Sequence, residues 1–197
     1  MAATKLERVM AEVRACTLCA EHLPRGPRPV LRGFPSARLL IIGQAPGTKV
    51  HESGIPWNDR SGDRLREWLG VDRDTFYDQR RIAIVPMGFC YPGRDANGGD
   101  LPPRPECAPA WHPKLLPLLP KIGLTLLIGQ YAQRRYLGER RKASMTATVS
   151  AWREYLPSFL ALPHPSWRNT AWLRKNPWFE ESVVPELRRR VTELISP

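Results

Sequence analysis

Four cysteines give this chain a set of candidate metal ligands. Cys16 and Cys19 form a C-x2-C pair, and Cys90 and Cys107 follow much later, with sixteen residues between them. Four thiolates with one close pair suit a cubane iron–sulfur cluster, whereas a structural zinc site generally uses two close pairs. Free cysteines are also commonly buried thiols without any ligand. The spacing alone therefore leaves a cluster, a zinc ion and four unliganded thiols open.

A second set of candidate residues follows predicted strands. The apolar run 39–42 indicates a buried strand of a parallel sheet, and the Gly- and Pro-containing stretch 43–47 ends it. A second apolar run, 159–162, leads into the loop 163–169, which carries His164 between two prolines. Because open α/β sheets bind ligands beyond the carboxyl ends of their strands, we expect these two loops to line one site.

The elements that must position these loops follow from hydrophobic patterning. Apolar runs predict four strands, at 39–42, 81–86, 124–129 and 159–162. Amphipathic stretches predict helices at 4–13, from near 61, and at 110–119, 131–137, 170–175 and 180–194. This alternation predicts an α/β fold, a three-layer α/β/α sandwich with a central four-stranded, mostly parallel sheet. With 197 residues and no long linker, we expect one domain over 1–197.

Two connections carry further expectations. The polar stretch 93–106 has no predicted element, and a loop of that length in a compact domain is usually functional or held by another group. The stretch 138–148 is basic, and we predict that it is exposed.

Asp59 or Ser61 is the predicted cap of the helix that begins near 61.

The chain is strongly basic. Its 30 Lys and Arg residues against 19 Asp and Glu give a formal net charge of +11. This balance favours a polyanionic partner such as nucleic acid, although a basic surface can also serve solubility alone. No apolar run reaches the ~18 residues of a membrane helix, and residues 1–8 lack the apolar segment of a signal peptide. We therefore expect a cytoplasmic protein without a membrane partner, whose cysteines are not disulfide-bonded.

Six landmarks lie in a characteristic order between about 10 and 190. They are Cys-Thr-Leu-Cys, Gly-Gln-Ala-Pro-Gly, Gly-Ile-Pro-Trp, the third and fourth cysteines around a proline-rich loop, Ile-Gly-Gln-Tyr-Ala, and His-Pro-Ser-x-Arg-Asn. This order resembles the uracil-DNA glycosylase superfamily, in particular its iron–sulfur branches, families 4 and 5. The resemblance implies a monomeric, monofunctional DNA glycosylase of base excision repair. Such an enzyme flips uracil or a related deaminated base out of single- or double-stranded DNA and hydrolyses its N-glycosidic bond.

The resemblance also implies a role for particular residues. A [4Fe–4S] cluster would be bound by Cys16, Cys19, Cys90 and Cys107. Ala45 and Gly47, in the first active-site motif, would contact the flipped base, and Trp57 would stack on it where the family has Phe.

The resemblance implies that the second active-site motif is the stretch 164–169. His164 would donate a hydrogen bond to the departing base, whose negative charge it stabilises as an oxyanion hole does. Ser166, Arg168 and Asn169 would contact DNA, at phosphates and at minor-groove edges.

Two positions depart from the family pattern. Pro86 stands where uracil-specific members have an Asn that reads the uracil edge, so we expect a broader base preference. Ala45 stands where efficient members have the Asp that activates water. Gln44, Asn58 and Asp59 are the candidates to position water here, unless the mechanism is dissociative and needs little base assistance.

A second class of function stays open from the sequence. The chain could be a non-catalytic iron–sulfur protein that binds damaged or abasic DNA. A turnover assay separates the two, because such a binder would never release a free base.

Overall fold

The computed structural model describes residues 3–196. Its strands are β1 (Leu39–Ile42), β2 (Ile82–Ile84), β3 (Leu124–Ile128) and β4 (Phe159–Leu162). Its α-helices are α1 (Lys5–Arg14), α2 (Thr48–Ser53), α3 (Arg60–Leu69), α4 (Arg73–Tyr77), α5 (Cys107–Leu115), α6 (Gln130–Leu137), α7 (Met145–Ser150), α8 (Thr170–Lys175) and α9 (Val184–Ile195). No helix within 3–196 is long and apolar enough to cross a membrane.

The four strands form one sheet in the order β2-β1-β3-β4. All three strand pairs are parallel, and Leu39 of β1 aligns with Ile82 of β2 and with Leu124 of β3. One isolated antiparallel bridge joins Arg32 to Ile84 at the β2 edge. The strand β1 is thus central, which explains why it is apolar at every position.

The side chains of β1 alternate between two hydrophobic cores. Leu39 and Ile41 belong to one core, which also contains buried side chains of α3 and α9. Leu40 and Ile42 belong to the other core, with buried side chains of α1, α5 and α6. Helices therefore cover both faces of the sheet, and the predicted three-layer α/β/α fold is confirmed.

Local capping fixes where two helices begin. The hydroxyl of Thr4 accepts from the backbone N–H of Glu7, and the Glu7 carboxylate accepts from the backbone N–H of Thr4, a capping box before α1. Asp59 caps α3 by accepting from the backbone N–H of Gly62 at 2.9 Å. Of the two predicted caps of this helix, Asp59 is the one that the structure uses.

The structure differs from the sequence-based prediction in the bounds of α5 and in three short helices that were not predicted. α5 begins at Cys107 and ends at Leu115, earlier than the predicted 110–119. α2, α4 and α7 were not expected, because helices of five or six residues carry too little periodicity to be recognised. α7 begins inside the stretch 138–148 that was expected to be exposed, and it buries Thr148 and Val149.

Candidate active site and cysteine cavity

The segments that follow β1 and β2 are joined by hydrogen bonds beyond the ends of the strands. The backbone N–H of Met87 donates to the carbonyl of Gly43, and that of Gly88 donates to the carbonyl of Gln44, both at 2.9 Å. The stretch 43–47 is therefore fixed to the stretch 86–88 at the carboxyl edge of the sheet. Gly129 after β3 and Pro163 after β4 leave the sheet at the same edge.

A cavity of about 410 Å³, here called the edge cavity, opens at this edge. Its lining contains Pro86 and nine of the ten predicted catalytic, base-binding and DNA-binding residues: Gln44, Ala45, Gly47, Trp57, Asp59, His164, Ser166, Arg168 and Asn169. The tenth, Asn58, is not part of this lining. Its side-chain oxygen instead accepts from Nη2 of Arg73 at 3.0 Å.

Trp57 occupies a position that depends on two glycines. A Cβ on Gly43 would lie 2.7 Å from Cζ2 of Trp57, and a Cβ on Gly62 would lie 1.7 Å from its carbonyl oxygen. Trp57 also has a φ of 56°, a left-handed conformation that is strained for a bulky residue. The chain thus holds this indole in a conformation that it would not adopt by local preference.

His164 lies beside Trp57, with the two ring centroids 5.5 Å apart and the ring planes at 33°. Burial lowers the pKa of His164, and the nearby Asp59 carboxylate only partly opposes this effect. His164 is therefore a neutral imidazole at neutral pH, able to donate from one ring nitrogen. The side-chain amide of Asn169 donates to the carbonyl of His164 at 2.7 Å, which fixes the turn 164–169.

The rim of the edge cavity carries an exposed aromatic side chain that the sequence analysis did not single out. Trp167 is 71% exposed, whereas most large apolar side chains of residues 3–196 are buried. Its neighbour Arg168 donates from Nη2 to the carbonyl of Gly98 at 3.0 Å. The sequence did contain a signal for this residue, because Trp167 follows His164 by three positions in the same loop.

The polar loop 93–101 is held in place over the edge cavity. Its ends meet through a bond from the Leu101 N–H to the Gly93 carbonyl at 3.0 Å. Nε2 of Gln44 donates to the carbonyl of Leu101 at 3.3 Å. This arrangement brings Asp100 into the lining of the edge cavity, a second residue that the sequence analysis missed.

The four cysteines line a second, smaller cavity, here called the cysteine cavity. Burial raises the pKa of the Cys90 thiol to about 11 and that of the Cys107 thiol to about 12. The nearby Cys16 and Cys19 contribute to both shifts in the same direction. The Cys107 sulfur also accepts from the backbone N–H of Phe89 at 3.4 Å.

Two further side chains of the cysteine cavity carry buried donors without a partner. Nε of Arg104 and Nε1 of Trp111 are inaccessible to solvent and make no hydrogen bond. Because buried donors are normally satisfied, a group rich in acceptors fits this cavity. Within residues 3–196, no three His, Cys, Asp or Glu side chains are arranged to hold a metal ion.

The buried His112 of α5 connects the cysteine cavity with the edge cavity. Its Nε2 lies 2.9 Å from the carbonyl oxygen of Pro86, and its Nδ1 pairs with the hydroxyl of Tyr136. The ring stacks on Phe89, with centroids 5.8 Å apart. Burial lowers the pKa of His112 to about 4. α5 thus lines the cysteine cavity through Cys107 and Trp111, and it contacts Pro86 of the edge cavity through His112.

A comparison of this sequence with models of protein families identifies the family of the chain. The model described as the uracil DNA glycosylase superfamily matches residues 32–188. The chain belongs to this superfamily. The match includes every edge-cavity residue named above.

Two curated relatives are both named Type-4 uracil-DNA glycosylase. The protein from Sulfurisphaera tokodaii is 28% identical over 125 residues, which are 61% of this chain and 54% of that protein. The protein from Thermotoga maritima is 33% identical over 75 residues, which are 36% of this chain and 39% of that protein. The matched stretches thus span about half or less of the length of these relatives.

Proposed function

We propose that this chain is a monofunctional DNA glycosylase that excises uracil or a related deaminated base from DNA. The observation that carries the proposal is the pairing of Trp57 with His164, whose rings lie 5.5 Å apart in the edge cavity of a member of this superfamily. Both relatives named above are glycosylases, and neither favours the alternative of a non-catalytic binder.

The chemistry follows from what the two side chains offer. A base must leave the DNA stack before its glycosidic bond can be reached, and the flat indole of Trp57 gives the extruded base a stacking partner. Cleavage of the bond leaves negative charge on the base. A neutral His164 donating to that charge stabilises the transition state more than the ground state.

The breadth of the base preference is proposed from the residue at position 86, Pro86. This residue lines the edge cavity but has no side-chain amide to read the edge of uracil. Sites that select by stacking and shape discriminate between similar ligands by only ~1–3 kcal/mol. We therefore expect more than one deaminated base to be excised, with a preference for bases that are already unpaired and easier to extrude.

DNA is the proposed partner, and the rim of the edge cavity is the proposed contact. The exposed Trp167 offers an apolar side chain that can enter a base step, as minor-groove wedges do. Arg168, at the same rim, offers a cation to the phosphates.

A [4Fe–4S] cluster is the proposed occupant of the cysteine cavity, with Cys16, Cys19, Cys90 and Cys107 as its ligands. Sulfides of a cluster would accept from the unpartnered donors of Arg104 and Trp111. Cys90 and Cys107 would hold the two ends of the loop 90–107 at such a cluster. Base excision itself is assigned to residues of the edge cavity.

The test is a turnover assay on a panel of oligonucleotides. Single- and double-stranded substrates carry uracil, hypoxanthine or xanthine at one position, and free base and abasic sites are quantified. We expect stoichiometric release of free base from at least one deaminated substrate and no strand cleavage by the enzyme alone. Binding without any release of base from the whole panel would contradict the proposal.

A further inference from the structure

The proposed reaction needs a water molecule at the sugar, and each residue expected to position it has one polar atom engaged elsewhere. Oδ1 of Asp59 caps α3 through the N–H of Gly62. The amide nitrogen of Gln44 holds the carbonyl of Leu101. Asn58 lies outside the edge cavity lining, and Ala45 has no polar side chain.

Asp100 is the other carboxylate in the lining of the edge cavity. Its Oδ2 lies 3.4 Å from the position that a Cβ on Gly47 would occupy, so the carboxylate packs directly against the first active-site motif. Gly47 makes this approach possible because it has no side chain. Asp100, which is distant in sequence, thus places a carboxylate at the first active-site motif, where the third residue is Ala45 and not an acid.

The loop that carries Asp100 is built to hold this position. Oδ1 of Asp95 accepts from the backbone N–H groups of Asn97 and Gly99, at 2.9 and 2.7 Å, which closes the turn. Arg168 of the second active-site motif donates to Gly98 and anchors the turn from the other side.

The charges around Asp100 leave one oxygen available for water. Oδ1 faces Nε of Arg94 at 3.7 Å, while Oδ2 faces Gly47. Burial raises the pKa of Asp100, Asp59 raises it further, and Arg94 and Arg168 oppose the rise. The carboxylate is thus more basic than that of a free Asp, and two cations favour its ionised form.

We propose that Asp100 is the catalytic base that orients and deprotonates the attacking water, in place of the missing acid at position 45. This assignment rests on the proposed function. The water oxygen forms a bond to C1′ of the deoxyribose, and its proton passes to the Asp100 carboxylate. The C1′–N bond breaks, and its electron pair leaves with the base, whose charge His164 stabilises. The proton on Asp100 then passes to solvent, so no further reactant is needed.

The experiment compares wild type with Asp100→Asn, which preserves size and removes the basic oxygen. Single-turnover excision from the best substrate of the panel should fall by about 10²-fold or more, since general bases contribute about 10²–10⁴-fold. Affinity for the same oligonucleotide should change by less than about threefold, because water activation contributes to the transition state. The acidic limb of the pH–rate profile should be lost in Asp100→Asn and retained in Asp100→Glu.

Asp95→Asn is the matched control. It removes one negative charge from the same loop, while its side-chain oxygen still accepts the bonds that close the turn, so excision should stay close to wild type. Excision by Asp100→Asn at the wild-type rate, or with an unchanged acidic limb, would overturn the role of Asp100 alone. A wild-type protein that releases no base from the panel would overturn the proposed function and this assignment together.

Discussion

At the residue scale, the position of the Trp57 indole explains why positions 43 and 62 are glycines. Gly43 and Gly62 contact Trp57 so closely that a Cβ on either would collide with it. Gly43 therefore serves the packing of an aromatic side chain as well as the end of β1. The strained φ of Trp57 is consistent with a constraint imposed by function, since such strain concentrates at ligand sites.

The first prediction concerns this indole. Trp57→Ala should weaken binding to DNA that contains the target base by ~1–3 kcal/mol, the usual loss for one base–aromatic stack. Affinity for undamaged DNA should stay unchanged, as measured by fluorescence anisotropy with matched oligonucleotides.

Gly43→Ala should weaken binding in the same way, because the new methyl group displaces the ring. Gly33→Ala is the control, since a Cβ there meets Leu119 and Ala83 at ordinary distances of 3.4 and 3.5 Å. Equal losses for damaged and undamaged DNA would contradict a role of Trp57 in base capture.

The second prediction concerns the buried His112, whose pKa is about 4 against an ordinary 6.5. The unfolded chain takes up a proton near pH 6.5, whereas the folded protein does so only near pH 4. Acidification through this window therefore favours unfolding, by up to about 3 kcal/mol for this residue.

His112→Gln should remove this part of the pH dependence. The test is urea unfolding of both proteins at several pH values between 6.5 and 4. His51 and His164, whose pKa values are also lowered, contribute to the slope of both proteins. Identical slopes for wild type and variant would show that the burial of His112 does not destabilise its protonated form.

Much of the edge cavity could be predicted from local sequence, but Asp100 could not. His164, Gly43 and Gly47 directly follow buried strands, and strand ends are recognisable from apolar runs. Asp100 reaches Gly47 through tertiary contacts of its loop, among them the bond from Gln44 to Leu101, between residues 57 positions apart. Such a contact depends on tertiary packing and leaves no periodic signal.

At the element scale, the sheet was predictable because β1 to β4 are short apolar runs with breakers after them. The order β2-β1-β3-β4 places β1 and β3 in the interior of the sheet, and the apolar run of β1 agrees with this position, although the edge strands β2 and β4 are apolar throughout as well. The helices α4 and α7 are capped locally, by Asp72 accepting from the Thr75 N–H and Ser144 accepting from the Ala147 N–H, and α2 has no side-chain cap. Their sequences resemble loops.

The third prediction concerns the cysteine cavity. Protein purified without oxygen should be brown and contain about four irons per chain, the content of one [4Fe–4S] centre. Cys90→Ala should lower the iron content, the thermal stability and the DNA affinity together, because the cluster ties α5 to the loop before it.

The control for this variant is Leu18→Ala. Leu18 lies between Cys16 and Cys19 but is 59% exposed, so the variant should keep its iron. Colourless protein with one zinc ion per chain would contradict the cluster.

At the scale of the whole molecule, the net charge of +11 gives the fourth prediction. DNA affinity should fall steeply with salt, with a log–log slope of about −0.9 for each phosphate contacted on a duplex. Arg168→Gln should reduce the magnitude of the slope by about one, since it removes one cation from the rim of the edge cavity.

Arg189→Gln is the matched control for the salt titration. The Arg189 guanidinium binds the carboxylates of Glu186 and Glu193 on α9, so its charge is already compensated within the protein. This variant should keep the wild-type slope. A flat salt response of the wild type would argue against nucleic acid as the partner.

The measurement that tests the central claim most directly is the single-turnover rate of base release by His164→Ala. The account predicts a loss on the order of 10²–10³-fold, with binding to undamaged DNA almost unchanged, because a donor to the departing base acts in the transition state. A variant that releases free base at the wild-type rate would contradict the claim that excision takes place beside His164 in the edge cavity.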